Sequence, residues 1–406
     1  MKQYKLFNVN IDKIGLAKWI INECNKNEIF SATPVQQACI PPILDRKDLI
    51  VYSKTGTGKT LTFILPILHL IDLHQISFNV FILVPTRELG LQINDTFNRL
   101  GKIKKISSCF LFKTRFYFNF PNDKSYLIKN EGVFITTLRY LYQMLNQKKN
   151  NKKINMLIID ESDLIFDKKS DILVEKIFSK FDIEQSLLFA ATIHEKFSVL
   201  YKLQYSKSIF YYQEKRNRYF GFSNSRQEYL FCPSFLKIFY TEIILKYKFK
   251  LFPKRENFIL SCSIIFVDSK KNCEKLFLIF KKIFVRVGRL HSNMESITRL
   301  LTMQMLISGK INLLICTDLG HRGLDYSFID LVINYNFPKN INTYIHRAGR
   351  VGRFEKSGHC INLISPKDIP YLHFLEQKIG YKIKKTDFIK DAFILKLLAR
   401  KNKKNI

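Results

Sequence analysis

The chain has 406 residues, 47% of them apolar, which excludes a natively disordered protein and predicts two or three packed domains. Lysine and arginine number 66 against 34 aspartate and glutamate residues, so the formal net charge is +32. Such an excess favours an anionic partner, most simply nucleic acid. The codon bias of an A+T-rich gene explains the surplus of Lys, Asn, Ile and Phe equally well, so charge alone does not identify the partner.

Two further classes of protein are disfavoured by the sequence. The eight cysteines are scattered and none forms a C-x-x-C pair, so we expect buried thiols of a reducing compartment rather than a zinc or redox site. The N-terminal residues carry no apolar core of a secretory signal, and no run of about 18 apolar residues occurs. The sequence therefore predicts neither a signal peptide nor a membrane span.

Strand and helix patterns alternate along most of the chain. Apolar residues at helical spacing predict a helix within 11–30. The strand candidates that follow are 80–84, 132–135, 156–159, 186–189, 264–267, 283–290, 311–316, 330–335 and 360–364. This alternation predicts an α/β fold, with parallel sheets flanked by helices on both faces.

Polar segments predict the boundaries of the domains. Residues 213–226 are basic and contain Gly and Ser, as an interdomain linker would, while 147–155 and 248–257 are predicted as exposed loops. The Lys-rich tail is either a helix that contacts RNA or a solvated extension. The resulting prediction is a domain at 1–212, a linker at 213–226, a second domain at 227–375 and a basic tail at 376–406.

The strongest motif lies at 51–60. An apolar strand pattern leads into Gly58-Lys59-Thr60, and a helical apolar pattern follows, which is the context that a P-loop requires. Backbone N–H groups of such a loop and the N-terminus of its helix bind phosphate. Lys59 would contact the β- and γ-phosphates and Thr60 the Mg²⁺ ion. Ser53 stands at the position of the first glycine of the general motif.

Two acidic residues follow the strand predicted at 156–159. Asp160 and Glu161 form a Walker B arrangement, in which Asp160 would hold Mg²⁺ through water and Glu161 would orient the attacking water. An acidic surface turn is the simpler alternative. Gln36 could read adenine, because its amide offers both a donor and an acceptor. A glutamine considered alone is more often a surface residue.

Together these motifs resemble those of the DEAD-box RNA helicases over about residues 11–375. The similarity lies in the order and spacing of Gln36, Ser53–Thr60, Pro85-Thr86-Arg87-Glu88-Leu89, Asp160–Asp163, Ala190-Ala191-Thr192, Thr317-Asp318, Arg322-Gly323-Leu324-Asp325 and His346–Arg353. The resemblance implies two tandem RecA-like P-loop domains, with a Q motif at about 9–37. It also implies ATP and Mg²⁺ as cofactors.

The resemblance assigns residues to ATP. Lys59, Asp160 and Glu161 would be catalytic, together with Arg350 and Arg353 as arginine fingers from the second domain. Thr60 and Asp160 would hold Mg²⁺. The implied nucleotide contacts are Thr33, Gln36, Ser53, Lys54, Thr55, Gly56, Thr57, Gly58, Lys59, Thr60, Gly323 and Asp325.

The resemblance also implies sequence-independent contacts to single-stranded RNA or a short duplex. The implied RNA-binding residues are Pro85, Thr86, Arg87, Thr136, Arg139, Arg299 and Thr317. Ala190, Thr192 and His346 would couple hydrolysis to RNA. The missing Pro-Gly turn at 136–139 weakens the match at RNA positions more than at ATP positions.

Two departures concern the acid box itself. Ser162 replaces the usual Ala, which we expect to be a mild change. Ala190 replaces a Ser whose hydroxyl, in the family, would bond the acid box. Its loss predicts weak unwinding with ATP hydrolysis largely intact, unless a neighbouring residue compensates.

The sequence therefore predicts an ATP-dependent RNA helicase whose ATP hydrolysis is stimulated by RNA. Stretches such as 290–294 and 361–379 are similar to the nucleolar branch that acts in small-subunit ribosome assembly. That similarity implies a nuclear or nucleolar monomer with pre-rRNA and pre-ribosomal proteins as partners. The alternatives are an ATP-gated RNA clamp or scaffold with weak unwinding, or a helicase of the translation-initiation type.

Overall fold

The computed structural model describes residues 9–53, 56–74, 78–111, 132–145, 153–165, 170–191, 209–213, 225–251, 262–318, 328–352 and 358–386. These residues form two compact units, the first containing the described residues up to 213 and the second those from 225 onward. Each unit is described by itself. Within the described ranges, no helix is long and apolar enough to cross a membrane.

Among the described residues, the first unit is built on a parallel sheet of seven strands. The strands of this unit are β1 (Val9–Asn10), β2 (Ser31–Ala32), β3 (Asp48–Tyr52), β4 (Asn79–Val84), β5 (Ser108–Leu111), β6 (Gly132–Thr137), β7 (Lys153–Ile154), β8 (Met156–Ile159), β9 (Asp182–Ile183), β10 (Ser186–Ala190) and β11 (Ile209–Gln213). The order in the main sheet is β11-β3-β10-β8-β4-β6-β5. The remaining strands form two small pairs, β1 with β2 and β7 with β9.

Helices cover both faces of this sheet. They are α1 (Lys18–Lys26), α2 (Pro34–Leu44), α3 (Lys59–His74), α4 (Arg87–Gly101), α5 (Leu138–Leu145), α6 (Ser162–Ile165) and α7 (Ser170–Lys180). On one face the rings of Phe63 from α3 and Phe189 from β10 pack with their centroids 5.3 Å apart. On the other face Leu141 of α5 and Val174 of α7 complete the core. Because both faces are covered, strands β3, β8 and β10 are buried along their whole length.

The second unit repeats this architecture. Its strands are β12 (Ser225–Phe231), β13 (Cys262–Val267), β14 (Val287–Leu290), β15 (Leu313–Thr317), β16 (Ile329–Asn334), β17 (Gly358–Ile364) and β18 (Lys384–Lys385). Its helices are α8 (Lys237–Leu251), α9 (Lys270–Lys281), α10 (Ser296–Ile307), α11 (Ile341–Ala348) and α12 (Ile369–Ile379). All pairs are parallel, in the order β14-β15-β13-β16-β17-β12-β18. The prediction of two parallel α/β sheets with flanking helices is confirmed.

The predicted polar segments are more structured than the sequence suggested. Gln213 ends β11 and Ser225 begins β12, so both ends of the predicted linker belong to sheets. The loop predicted at 147–155 contains β7, and α8 continues into the segment at 248–257 as far as Leu251. Strand β18 pairs with β12, so the second unit extends past the predicted boundary at 375. Residues 387–406 of the predicted basic tail lie outside the described residues.

Candidate active site

Three motif segments meet at the carboxyl ends of neighbouring strands in the first unit. The P-loop follows β3, the acid box follows β8, and Ala190 ends β10, which lies between those two strands. Ligands of open α/β sheets bind at this edge, because the loops that leave the strand ends converge there. The topology therefore brings together the predicted phosphate loop and the predicted acids, although they are about a hundred residues apart in sequence.

The P-loop is held by its own polar groups. Lys59 begins α3, is 9% exposed, and donates from Nζ to the carbonyl of Ser53 at 2.7 Å. The hydroxyls of Ser53 and Thr57 hydrogen-bond each other, so the serine at the first glycine position fastens the loop. Gly56 and Gly58 have φ angles of 79° and 91°, which only glycine adopts readily. Lys54 and Thr55 lie outside the described residues.

Gln36 packs directly against this loop. Its Oε1 accepts from the backbone N–H of Thr33 at 2.9 Å, and its Nε2 donates to the carbonyl of Gly58 at 3.2 Å. A Cβ atom at Gly58 would lie 2.6 Å from Nε2, so a side chain at this position would displace the glutamine. Gln36 is 2% exposed, and the expectation for a glutamine considered alone, that it lies on the surface, is wrong here. The amide keeps one N–H and one lone pair beyond these bonds.

The acid box follows β8 in a strained turn. The N–H of Asp160 bonds to the carbonyl of Leu83 at 3.0 Å, and its Oδ1 accepts from the N–H of Glu161 at 2.9 Å. Glu161 has a φ angle of 47°, in the left-handed region that residues with a side chain seldom occupy. Its Oε2 is buried and has no hydrogen-bond partner among the described residues. The alternative of an acidic surface turn is wrong, because Asp160 is 3% exposed.

Burial makes Asp160 an unusual carboxyl group. Its pKa is raised to about 7, first by loss of hydration and then by the negative charge of Glu161, while the positive charge of Lys59 partly offsets both effects. A carboxyl group in this state favours the approach of a further positive charge. The arrangement can therefore bind a cation beside the P-loop.

Asp160→Asn is expected to stabilise the ligand-free chain by about 2 kcal/mol at about pH 8, and the advantage should vanish towards about pH 4. The carboxyl of Asp160 titrates near pH 4 in the unfolded chain and near pH 7 in the folded chain. As the pH rises, the unfolded chain therefore loses this proton first. Parental stability therefore falls as pH rises between these values. The gain is smaller than the full linkage effect because the new amide is itself buried. Denaturant unfolding of both chains across this pH range measures the gain, and a difference independent of pH would contradict it.

The acid box is also joined to β10. The side chain of Ser162 is fully buried and its Oγ donates to the carbonyl of Phe189 at 3.0 Å. Ala190 follows, packed in the core cluster that includes Ile165 of α6. Its carbonyl accepts from the N–H of Ser53 at 3.1 Å. Thr192, the other coupling residue predicted in this segment, lies outside the described residues.

The structure separates the residues predicted to contact RNA in the first unit. Pro85, Thr86 and Arg87 are half-buried at the carboxyl end of β4, where the hydroxyl of Thr86 accepts from the N–H of Leu89 and caps α4. Arg139 is exposed on α5. Thr136 is not at the surface, because it is fully buried and its hydroxyl donates to the carbonyl of Leu111 at 3.1 Å. Its side chain joins β6 to β5.

In the second unit, Arg347 lies close in sequence or space to the predicted residues Thr317 and Arg350, and its own role was not predicted from the sequence. Arg347 donates from Nε and from a terminal nitrogen to the two carboxylate oxygens of Asp318 at 2.6 and 2.8 Å, and also bonds Asn334 and the carbonyl of Asn336. This fixes α11 against the end of β15, where Thr317 lies. Arg350 donates from Nε to the carbonyl of His346 at 3.1 Å. The signal that could have found Arg347 is its place between His346 and Arg350 in one motif.

Two of the remaining predicted residues of the second unit lie on helices. Arg299 lies half-buried on α10, where its backbone N–H bonds the carbonyl of Glu295 at 3.0 Å. His346 is buried on α11. Gly323, Asp325 and Arg353 lie outside the described residues.

Similarity to known proteins covers nearly the whole chain. The family model described as DEAD/DEAH box helicase matches residues 33–199, and that described as Helicase conserved C-terminal domain matches 250–355. The probable ATP-dependent RNA helicase DDX49 of Mus musculus is 31% identical over 397 residues, covering 96% of this chain and 80% of that protein. The ATP-dependent rRNA helicase RRP3 of Saccharomyces cerevisiae is 28% identical, covering 95% and 75%.

Solved structures show the same fold. S. cerevisiae Dbp5 bound to RNA and ADP BeF3 has a TM-score of 0.80 at 23% identity, covering 93% of this chain and 95% of that one. Mss116p bound to ssRNA and AMP-PNP also has a TM-score of 0.80, at 24% identity, covering 95% and 80%. The two units thus have the fold of two RecA-like domains.

Proposed function

The chain belongs to the DEAD-box ATP-dependent RNA helicases, which hydrolyse ATP, and on this premise we propose which of its residues carry the chemistry. The observation that carries the proposal is the arrangement of Lys59, Asp160 and Glu161 at the carboxyl ends of β3 and β8, which flank β10 in one sheet, where the charges of Lys59 and Glu161 both act on Asp160. Lys59 binds the β- and γ-phosphates of ATP within the P-loop. The relatives' names do not favour an RNA clamp without catalysis.

Mg²⁺ fits the acid end of this site. The buried Asp160 has a pKa raised to about 7, and the Oε2 atom of Glu161 lacks a hydrogen-bond partner among the described residues. A divalent cation would stabilise both negative charges. Thr60, in the first turn of α3, would offer its hydroxyl to the ion and Asp160 would hold it through water. The bound ion would neutralise charge on the phosphates.

Glu161 orients and polarises the attacking water in our proposal. Its left-handed backbone is retained although it costs energy, and strained residues of this kind cluster at active sites. The backbone bonds on both sides support the strain, because its N–H bonds Asp160 and its carbonyl accepts from the N–H of Leu164 at 2.9 Å. The carboxylate that meets the water is thus carried by a backbone that is fixed on both sides.

The second unit supplies the positive charge for the γ-phosphate. Arg350 and Arg353 act as arginine fingers, and Gly323 and Asp325 contact the nucleotide. Support for Arg350 comes from its bond to the carbonyl of His346 and from the ion pair of Arg347 with Asp318, which anchors the same helix end. Because the fingers and the P-loop belong to different units, hydrolysis would depend on closure of the two units around ATP and RNA.

RNA is bound through its sugar–phosphate backbone. Pro85, Thr86, Arg87 and Arg139 would contact it from the first unit, and Arg299 and Thr317 from the second. Thr136 would act indirectly by holding β5 and β6 together. Such contacts are independent of base sequence and weaken as the salt concentration rises, since they replace counterions of the phosphates.

The RNA that this helicase remodels is, in our proposal, precursor ribosomal RNA. RRP3, 28% identical to this chain, is named an rRNA helicase, and the sequence similarity to the nucleolar branch points the same way. The chain would act as a monomer in the nucleus or nucleolus, with pre-ribosomal proteins directing it to its site. It would separate short duplexes or rearrange ribonucleoprotein during ribosome assembly.

Crosslinking of the chain to RNA in cells tests this proposal, with Glu161→Gln as the trapping variant. The variant should retain RNA in the ATP-bound state, so we expect precursor ribosomal RNA to be enriched at least about tenfold over the parent. A variant with Lys59→Ala, which should not bind ATP, serves as the background control. Enrichment of messenger RNA leaders instead would support a translation-initiation helicase and contradict the ribosomal assignment.

A further inference from the structure

A side chain joins the acid box to β10 beyond the last paired residues of β8 and β10. The register of β8 and β10 ends with Ile159 opposite Leu188. Strand β8 ends at this pair, and beyond it the hydroxyl of Ser162 donates to the carbonyl of Phe189 at 3.0 Å. Ser162 is fully buried, so this carbonyl has no water to replace the bond. The first turn of α6 is thereby fixed to the end of β10.

The end of β10 continues this connection to the P-loop. On its other edge β10 remains paired with β3, with Ala190 opposite Tyr52. The carbonyl of Ala190 accepts from the N–H of Ser53 at 3.1 Å, and the carbonyl of Ser53 accepts from Nζ of Lys59 at 2.7 Å. The acid box is therefore linked to Lys59 by a continuous series of hydrogen bonds that runs through Phe189 and Ala190 of β10.

Position 190 cannot supply a hydroxyl to this connection. Ala190 lies in the apolar cluster with Ile159 and Ile165, so its side chain is on the side of β10 that meets α6. A serine there would place its hydroxyl beside the same turn that Ser162 now fixes. Among the described residues, Ser162 is the one that joins the acid box to β10 through a side-chain hydroxyl.

We propose that Ser162 is a positioning residue that replaces the hydroxyl missing at position 190. Its bond to Phe189 holds the turn that carries Glu161 and keeps that turn in register with the P-loop. The inference rests on the proposed roles of Asp160 and Glu161. Ser162 follows Glu161 directly, so the bond fixes one flank of the strained residue while the bond to Asp160 fixes the other. On this proposal, the substitution at 162 has a larger effect than the mild change expected from the sequence.

Ser162→Ala should lower kcat for RNA-stimulated ATP hydrolysis about fivefold and leave KM for ATP within about twofold, because one buried hydrogen bond is lost without a nucleotide contact. Duplex unwinding should fall at least as much. The matched control is Ser108→Ala, whose buried hydroxyl donates to Asn94 at 3.1 Å in the same unit. This control should lose comparable thermal stability and keep the parental kcat.

Ala190→Ser supplies the decisive test by rescue. In the Ser162→Ala background it should restore most of kcat, a gain that should exceed its effect in the parent at least about threefold, so the two effects are not additive. Ser162→Cys, a variant of similar volume with a weak donor, covers the case in which Ser162→Ala fails to fold, and should show an intermediate kcat. An unchanged kcat in Ser162→Ala or in Ser162→Cys, or equal gains from Ala190→Ser in both backgrounds, would overturn the inference.

The same series separates this inference from the assignment of the site. Glu161→Gln is measured beside the other variants. If it keeps activity, the roles proposed for the acid box fail whatever Ser162 does. If it abolishes activity while Ser162→Ala has no effect on kcat, the site stands and the positioning role is refuted.

Discussion

Glu161→Gln is expected to lower RNA-stimulated ATP hydrolysis by about 10³-fold while leaving ATP binding within about threefold. The Oε2 atom of Glu161 is buried without a hydrogen-bond partner among the described residues, so its charge is available to the attacking water. A neutral amide cannot accept a proton and polarises water weakly. Steady-state turnover with and without single-stranded RNA measures the first effect, and titration with a fluorescent ATP analogue measures the second.

Two further variants make this result specific. Lys59→Ala should lower both ATP binding and hydrolysis, because it removes the cation of the P-loop. Glu184→Gln removes a carboxylate of the same unit that pairs with Lys153 and is 40% exposed, and it should hydrolyse ATP at the parental rate. Turnover of Glu161→Gln within tenfold of the parent would contradict the assigned role. Parental hydrolysis too slow to measure, with RNA binding that still requires ATP, would instead indicate a clamp.

The active-site segments could be predicted because each one is local in sequence. The run Met156–Ile159 is long enough to fill a buried strand, so the residues that follow it, beginning with Asp160, had to lie at a strand end. The same reasoning placed the P-loop between β3 and α3. That only β10 separates the two strand ends follows from the strand order, which a single sequence does not determine.

Polar residues account for most of what the sequence did not reveal. Strand β12 has the sequence SRQEYLF, which lacks an apolar pattern. Its Glu228 can nevertheless be buried, because it pairs with Arg226 and His359. The sequence therefore predicts Ser225 and Arg226, the first residues of this strand, as the end of a linker. Thr136 is likewise predicted as an RNA contact, whereas its hydroxyl makes a buried hydrogen bond to the carbonyl of Leu111. No pattern of hydrophobicity distinguishes a polar residue with an internal partner from one that faces a ligand.

Ser162 shows, at the active site, the same limit of prediction from sequence. Compared with the family pattern, Ser162 and Ala190 are two separate departures, one mild and one damaging. In the structure both lie where α6 meets β10, and the hydroxyl of Ser162 donates to the carbonyl of Phe189, the residue before Ala190. The proposal that the two substitutions form a single exchange depends on the β8–β10 register, which the sequence does not give.

Arg347→Ala is expected to lower the stability of the second unit by about 3 kcal/mol. The side chain of Arg347 is 3% exposed and binds Asp318 with two nitrogens, while a third bonds Asn334 and Asn336. Its guanidinium carbon also lies 5.2 Å from the ring centroid of Phe266. Alanine would leave a cavity and deprive Asn334 and Asp318 of their donor, and these are the losses that carry large costs.

Arg289→Ala is the matched control for this prediction, because Arg289 makes the same kinds of contact in a solvated setting. Its guanidinium pairs with Glu274 at 2.7 Å and lies 4.6 Å from the ring centroid of Phe277, but both charged side chains are more than a third exposed. Its loss should cost less than about 1 kcal/mol. Denaturant unfolding of the full chain, followed by a probe in the second unit, compares the two variants. Equal costs would show that the ion pair with Asp318 does not depend on burial, and that α11, which carries the proposed arginine finger Arg350, is anchored by other contacts.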